Sequence, residues 1–172
     1  MLFTKENLFN FDDIEITDRE KVCIDYIKSL TEAIPHSNTT FFNHLYNTFR
    51  ILKKLNQNED VCLAGLYHSV YDTDFFKANL VIDSKDVIDK IGEYSNFLVK
   101  VFCSENRADS IFQNTLCVPT NVNKDLLYIF HANEVEQSVR VGRPLNFYDK
   151  IVSKIILLEA YCEIGKNKCK IN

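Results

Sequence analysis

The feature that most constrains this chain is the helical spacing of its apolar residues. In the stretch Cys62–Phe76, with the sequence CLAGLYHSVYDTDFF, apolar side chains recur three and four positions apart before polar ones take over. The stretch Phe41–Leu52 repeats the pattern. This spacing places apolar side chains on one face of a helix that must pack against its neighbours, and the small Gly65 favours a close approach. Because His44 lies on one apolar face and His68 at the end of the other, the sequence predicts a histidine on each of two core helices.

Composition favours one helical domain. The chain has 172 residues, of which 46% are hydrophobic and 26% charged, as is typical of a globular protein. It contains only 4 glycines and 3 prolines, which disfavours a β fold with many tight turns. We therefore expect an all-α fold, a single compact bundle of about six helices over residues 1–172. Residues 1–16 are expected to be an extended lead-in and residues 164–172 a frayed tail.

Cap and breaker residues set the expected helix boundaries. Thr17 or Asp18 begins the first helix, and Thr39 or Thr40 begins the second. The expected helices run over residues 17–33, 40–55, 59–68, 84–104 with a bend near Gly92, 107–112, from Asn121 or Asn123 to 141, and 146–163. The pattern shows no convincing strand.

Charge and cysteine usage exclude several classes. The net charge of −4, without a basic cluster outside the tail, argues against a nucleic-acid partner. No apolar run reaches the roughly 20 residues that span a bilayer, and the start of the chain lacks a signal-peptide pattern. None of the six cysteines forms a C-x-x-C pair. We expect reduced thiols in a cytoplasmic protein with no membrane partner.

The order of several motifs resembles the HD-domain superfamily. These are a helix carrying His44, then AGLYHSVY at residues 64–71, IGEYSNFLVKVF at 91–102 and ANEVEQ at 132–137. More narrowly, the chain resembles an uncharacterised HD-like group with "HS" in place of the "HD" doublet. The resemblance implies a helical bundle, and its common chemistry is phosphoester hydrolysis; some relatives bind two irons and oxygenate polyols or phosphonates.

The metal ligands implied by the resemblance are His44 and His68. The carboxylate of the doublet falls on Ser69 and the late carboxylate of the pattern falls on Asn133, so both are neutral here. Hard cations prefer carboxylate oxygens, and catalytic zinc usually has three protein ligands. The implied cofactor is therefore either a divalent metal, iron, manganese or zinc, or none.

Other residues complete the predicted site. Asp72 follows His68 by four positions, so it would share its face if the helix continued, and it is a candidate ligand or catalytic residue. His36, after Pro35, is a candidate acid or base. The predicted pocket residues are Ser69, Tyr71, Asn133 and Gln137. We expect Asn133 or Ser69 to link His44 and His68 by hydrogen bonds, His131 to be structural, and Glu134 and Glu136 to be solvated.

Two functional classes remain open at this level. In the first, the protein is a metal-dependent hydrolase or oxygenase that acts on a small polar or phosphorylated molecule. In the second, it is a non-catalytic domain that binds a small ligand or takes part in an interaction after losing the metal site. The partner in both is a small molecule, and the sequence names neither that molecule nor the oligomeric state.

Overall fold

The fold is mostly helical, with one small hairpin between the first two helices. The structure, a computed structural model, describes residues 10–104, 119–142, 153–156 and 159. Its elements with defined bounds are α1 (Asp18–Thr31), β1 (Pro35–His36), β2 (Thr39–Thr40), α2 (Phe41–Lys54), α3 (Glu59–Tyr67), α4 (Ser84–Ile91), α5 (Glu93–Cys103) and α6 (Thr120–Val141). Residues 153–156 are also helical.

Side-chain caps begin the first three helices, and those of α1 and α2 are predicted from the sequence. The Thr17 side chain accepts from the Glu20 amide while the Glu20 carboxylate accepts from the Thr17 amide, which is a complete capping box. Thr40 caps α2 and Asn58 caps α3 through a single bond each, in which the side-chain oxygen accepts from a backbone amide of the first turn. These boundaries are local in origin, which explains why they could be read from the sequence.

Three boundaries differ from expectation. The segment 84–104 forms two helices because Gly92, at φ +87°, interrupts the helix instead of bending it. Helix α3 ends at Tyr67, and His68 is its C-cap instead of a helical residue. Helix α6 begins at Thr120, one residue before the earlier of its predicted starts, and ends where Gly142 adopts φ +67°. The expected helix at 107–112 and most of the one at 146–163 lie outside the described residues.

The hairpin was not expected from the sequence. Strands β1 and β2 are antiparallel, with Pro35 opposite Thr40 and His36 opposite Thr39. Ser37, between them, has φ +51°, which turns the chain back within two residues. The hairpin brings His36 against the first turn of α2. There the ring centroids of His36 and Phe41 lie 5.8 Å apart.

The core forms where α2 and α3 cross. Helix α2 packs against both α3 and α6, and α3 packs against both α5 and α6. A Cβ atom added at Gly65 would lie 2.1 Å from Leu52 Cδ1, so any larger residue here would require the buried Leu52 side chain to move. The close crossing brings the two histidine-bearing helices together.

The described cysteines are free thiols. Cys23, Cys62 and Cys103 form no disulfide, whereas Cys117, Cys162 and Cys169 lie outside the described residues. Burial raises the pKa of the Cys62 thiol to about 12 and raises that of Cys23 as well, which makes both poor nucleophiles. In the described ranges, no helix has the length and hydropathy to cross a bilayer.

Candidate functional site

His44 and His68 meet inside the bundle. Their Nε2 atoms lie 3.1 Å apart, and the ring centroids are separated by 4.9 Å at an interplanar angle of 70°. His44 is 1% exposed and His68 is fully buried. The structure therefore joins the two residues that carry the sequence resemblance into one buried pair.

The other nitrogen of each ring is already engaged. His44 Nδ1 lies 2.6 Å from Glu136 Oε2, and His68 Nδ1 lies 2.8 Å from the Gly65 carbonyl oxygen. A carbonyl oxygen only accepts, so His68 Nδ1 must donate; an ionised carboxylate places the same demand on His44 Nδ1. In their neutral forms both rings then carry the lone pair on Nε2, and the two lone pairs face each other.

An amide oxygen joins this pair. Asn133 Oδ1 lies 3.1 Å from His68 Nε2, and the same oxygen accepts from Gln137 Nε2 at 3.1 Å. The Glu134 carboxylate accepts from Asn133 Nδ2 at 3.2 Å, and this contact orients the Asn133 amide with its oxygen, not its NH₂ group, towards His68. His44 Nε2 and Asn133 Oδ1 therefore both lie 3.1 Å from His68 Nε2, and we call these three electron-rich atoms the donor triad. A proton or a metal ion held among these atoms would relieve the repulsion between their lone pairs.

Glu136 supports the triad from behind His44. It is 1% exposed, and Arg140 Nε donates to its second oxygen at 2.8 Å. Burial alone would raise the pKa of the Glu136 carboxyl, but the hydrogen bonds and charges of His44 and Arg140 outweigh burial and lower that pKa. The expectation that Glu136 is solvated was wrong, because α6 turns it inwards onto α2.

The hairpin covers the outer side of His44. The His36 ring stacks on His44 with centroids 4.5 Å apart and planes inclined by 26°. The Phe76 ring meets His36 edge-on at 4.4 Å. Arg140 Nη1 also donates to the His36 carbonyl oxygen at 3.4 Å, so one arginine contacts both the buried carboxylate and the hairpin.

Asp72 is not placed as predicted. Because α3 ends at Tyr67, Asp72 does not share a helical face with His68. It adopts φ +63°, and its Oδ1 accepts from the Ala78 amide at 2.8 Å and the Asn79 amide at 3.1 Å. The carboxylate therefore organises the loop before α4.

The other residues considered for the site each have a separate environment. Ser69 is 6% exposed in the turn directly after His68. The Tyr71 hydroxyl donates to Asn96 Oδ1 on α5 at 2.6 Å, so its polar end is directed towards that helix. Glu134 Oε1 accepts from the side-chain nitrogen of Asn133, Nδ2, at 3.2 Å. His131 is buried, and burial lowers its pKa to about 4, which fits a structural role.

Within residues 10–104, 119–142, 153–156 and 159, no group of three or more His, Cys, Asp or Glu side chains is arranged to hold a metal ion. The donor triad contains two imidazoles and an amide oxygen. Its ligands would thus all be neutral.

The comparisons assign no activity. Residues 27–107 match a family model described as a domain of unknown function (DUF6817). No curated protein and no solved structure matches the chain. The matched segment contains His36, His44 and His68, whereas Asn133 and Glu136 lie beyond it, so it holds only part of the site.

Sequence reasoning missed Glu136 and Arg140. Glu136 follows Asn133 by three positions and Arg140 follows Glu136 by four, so the three share one side of α6. That spacing was the signal in the sequence from which Glu136 and Arg140 could have been predicted to lie beside Asn133. A buried carboxylate behind a histidine also recurs in metal sites, where it fixes the ring and its tautomer.

Proposed function

We propose that this chain is an HD-like domain that binds a divalent transition metal through His44 and His68. The supporting observation is that His44 Nε2 and His68 Nε2 lie 3.1 Å apart. The Nδ1 atom of each ring is already hydrogen-bonded to an oxygen. Metal-bound histidines typically donate their other N–H to a carboxylate or a backbone carbonyl. Glu136 and Gly65 supply one acceptor of each kind.

Two imidazole nitrogens suit a metal ion of intermediate hardness, such as zinc. Zinc binds imidazole nitrogen at about 2.0–2.1 Å, and two nitrogens 3.1 Å apart are compatible with one such ion. Asn133 Oδ1 is the third donor. Imidazole suits zinc and iron better than magnesium or calcium, which require oxygen ligands.

The proposed activity is hydrolysis or oxygenation of a small polar or phosphorylated molecule. A bound metal would supply Lewis-acid activation of a water or substrate oxygen. Glu136 would hold the His44 tautomer, and Gln137 would hold the Asn133 oxygen towards His68. His36, stacked on the outer side of His44, is the residue we propose to move a proton at the substrate.

A second candidate is a non-catalytic domain that binds a small ligand or a partner without metal. The observation favouring it is that both nitrogens of His68 face oxygen acceptors, the Gly65 carbonyl and Asn133 Oδ1. A second proton on His68 would satisfy both oxygens, and its Nε2–H would also reach the His44 lone pair.

Metal stoichiometry distinguishes the two candidates. Protein purified without chelators would be assayed by elemental analysis, then stripped and titrated with zinc in a calorimeter. We expect about one metal per chain, with zinc binding lost in His44→Gln and His68→Gln. His131→Gln is the matched control, because His131 is also a buried histidine outside the triad.

Circular dichroism would verify that each variant is folded. A metal-free protein whose melting temperature does not respond to zinc would overturn the metal-binding proposal and favour the second candidate. Zinc binding that survives both triad substitutions would place the metal elsewhere.

A further inference from the structure

The outer side of α2 carries one aromatic and two basic side chains in a row, which we call the α2 stripe. Its members, Tyr46, Arg50 and Lys54, follow one another at intervals of four residues and are all half-buried. This spacing places them along one face of the helix. His44 precedes Tyr46 by two positions, which separates the two side chains by about 200° around the helix axis. The α2 stripe and the buried histidine pair therefore lie on opposite sides of α2.

A short segment before the first helix, residues 10–14, covers the α2 stripe. The centroid of the Phe11 ring lies 3.9 Å from Arg50 Cζ. Asp13 forms an ion pair with Lys54, which lies one helical turn beyond Arg50. The segment thus matches an aromatic ring and a carboxylate to the two cations of α2.

Arg50 is positioned by α2 itself and keeps an unsatisfied donor. Its Cζ atom lies 4.7 Å from the Tyr46 ring centroid, and its Nη2 donates to Asn47 Oδ1. Its Nε atom is buried and has no hydrogen-bond partner among the described residues. Burial lowers the pKa of Arg50, because the charged form loses hydration. A poorly hydrated cation is attracted by the face of an aromatic ring, and Phe11 supplies that face.

The covering segment forms its own turn. The Ile14 amide donates to the Phe11 carbonyl oxygen at 3.3 Å, and the Asp12 amide donates to Asn10 Oδ1 at 3.1 Å. Both bonds lie within five consecutive residues, so they depend on the local sequence and not on packing against α2. The Asp13 side chain is 76% exposed, which places the segment at the surface. A separate peptide with the same spacing would present the same ring and carboxylate.

We propose that the α2 stripe is a docking site for a peptide segment of a partner protein, in which an aromatic residue lies two positions before a carboxylate. Residues 10–14 occupy this site within the chain and compete with the partner. The match between two cations on α2 and a ring with a carboxylate on one turn selects this occupant. The inference does not rest on the proposed metal site, because the two surfaces lie on opposite sides of α2.

Release of the segment in the full-length chain tests the proposal. The double variant Phe11→Ala with Asp13→Ala, which we call the released variant, removes both contacts of the internal occupant. The probe is a fluorescein-labelled peptide of residues 10–16, NFDDIEI, and its binding is followed by fluorescence anisotropy. A tethered segment competes at an effective concentration on the order of millimolar, so we expect the released variant to bind the probe about tenfold more tightly than the parent.

Charge exchange shows whether the probe binds at the α2 stripe. Lys54→Glu added to the released variant should weaken binding severalfold, because two carboxylates would then meet. A probe carrying Asp13→Lys should bind that variant better than it binds the released variant. A probe carrying Phe11→Ala should bind neither. Lys21→Glu in the released variant is the matched control, since it makes the same charge change at an exposed position of α1 and should leave binding unchanged.

Circular dichroism would verify that each variant is folded. A released variant that does not bind the probe, or binds it no better than the parent, would overturn the proposal. Binding that Lys54→Glu leaves unchanged would place the peptide elsewhere and overturn it as well. Sedimentation would detect a second copy as the occupant: a dimer of the parent that the released variant does not form would overturn the assignment to a partner protein.

Discussion

Asn133 Oδ1 lies 3.1 Å from His68 Nε2 although the two residues are 65 positions apart in the chain. Both ends of this contact are held by a second bond: His68 Nδ1 donates to the Gly65 carbonyl, and Gln137 donates to the Asn133 oxygen. The ring and the amide therefore have little freedom to turn away from each other. This orientation keeps Asn133 Oδ1 and His44 Nε2 directed at His68 Nε2.

The Glu136–Arg140 pair should be strongly coupled. Removing the charge in Glu136→Gln leaves Arg140 and the His44 N–H with a weaker acceptor in a buried place, and we expect a loss of about 2–4 kcal/mol of unfolding free energy. Arg140→Met should also destabilise the protein. Urea unfolding of both single variants and the double variant should give a coupling energy of about 1–3 kcal/mol. Strictly additive effects would show that the ion pair has no energetic role.

Asp72 should matter for the loop and not for metal binding. Asp72→Ala removes the acceptor for two amides and places alanine at φ +63°, so we expect a loss of about 1–2 kcal/mol. Asp72→Asn is the matched control, because asparagine retains a side-chain oxygen and tolerates this backbone conformation. Both variants should bind zinc like the parent in calorimetry. Loss of zinc binding in Asp72→Asn would restore Asp72 as a ligand.

Gly65→Ala should separate α2 from α3. The new methyl group would lie 2.1 Å from Leu52 Cδ1 in a core where Leu52 is fully buried. Overpacking of this kind typically costs about 1–3 kcal/mol. Leu52→Val removes the clashing atom, so Gly65→Ala should be less harmful in that background when chemical unfolding is measured. Equal harm in both backgrounds would place the strain at another contact.

Stability should fall with acid partly because of His131. Burial lowers its pKa from 6.5 to about 4 in the folded protein, so the unfolded chain takes up this proton first as the pH falls. The contribution of His131 is present in full above about pH 6.5 and is lost as the pH falls towards 4. It amounts to roughly 3 kcal/mol. Unfolding free energies of the parent and His131→Gln, compared between pH 7 and 4, should show a shallower fall in the variant. Parallel curves would contradict the assignment.

The sequence by itself determined where α1, α2 and α3 begin. Thr17, Thr40 and Asn58 begin helices through bonds to amides within three residues, and the apolar stripes of 41–52 and 62–67 follow from spacing alone. It also indicated His44 and His68 as a pair, because each lay on or at the end of an apolar face. These features depend on neighbours a few positions apart.

Only the tertiary structure decided the electrostatics of the pair. Glu136 reaches His44 across 92 positions and Arg140 reaches His36 across 104, and no local pattern reveals which oxygen meets which nitrogen. The end of α3 at Tyr67 likewise turned Asp72 from a potential ligand into a loop residue. Asp72 would have shared a face with His68 only if the helix had continued past Tyr67 to residue 72. Burial and charge pairing depend on the three-dimensional packing of α2, α3 and α6.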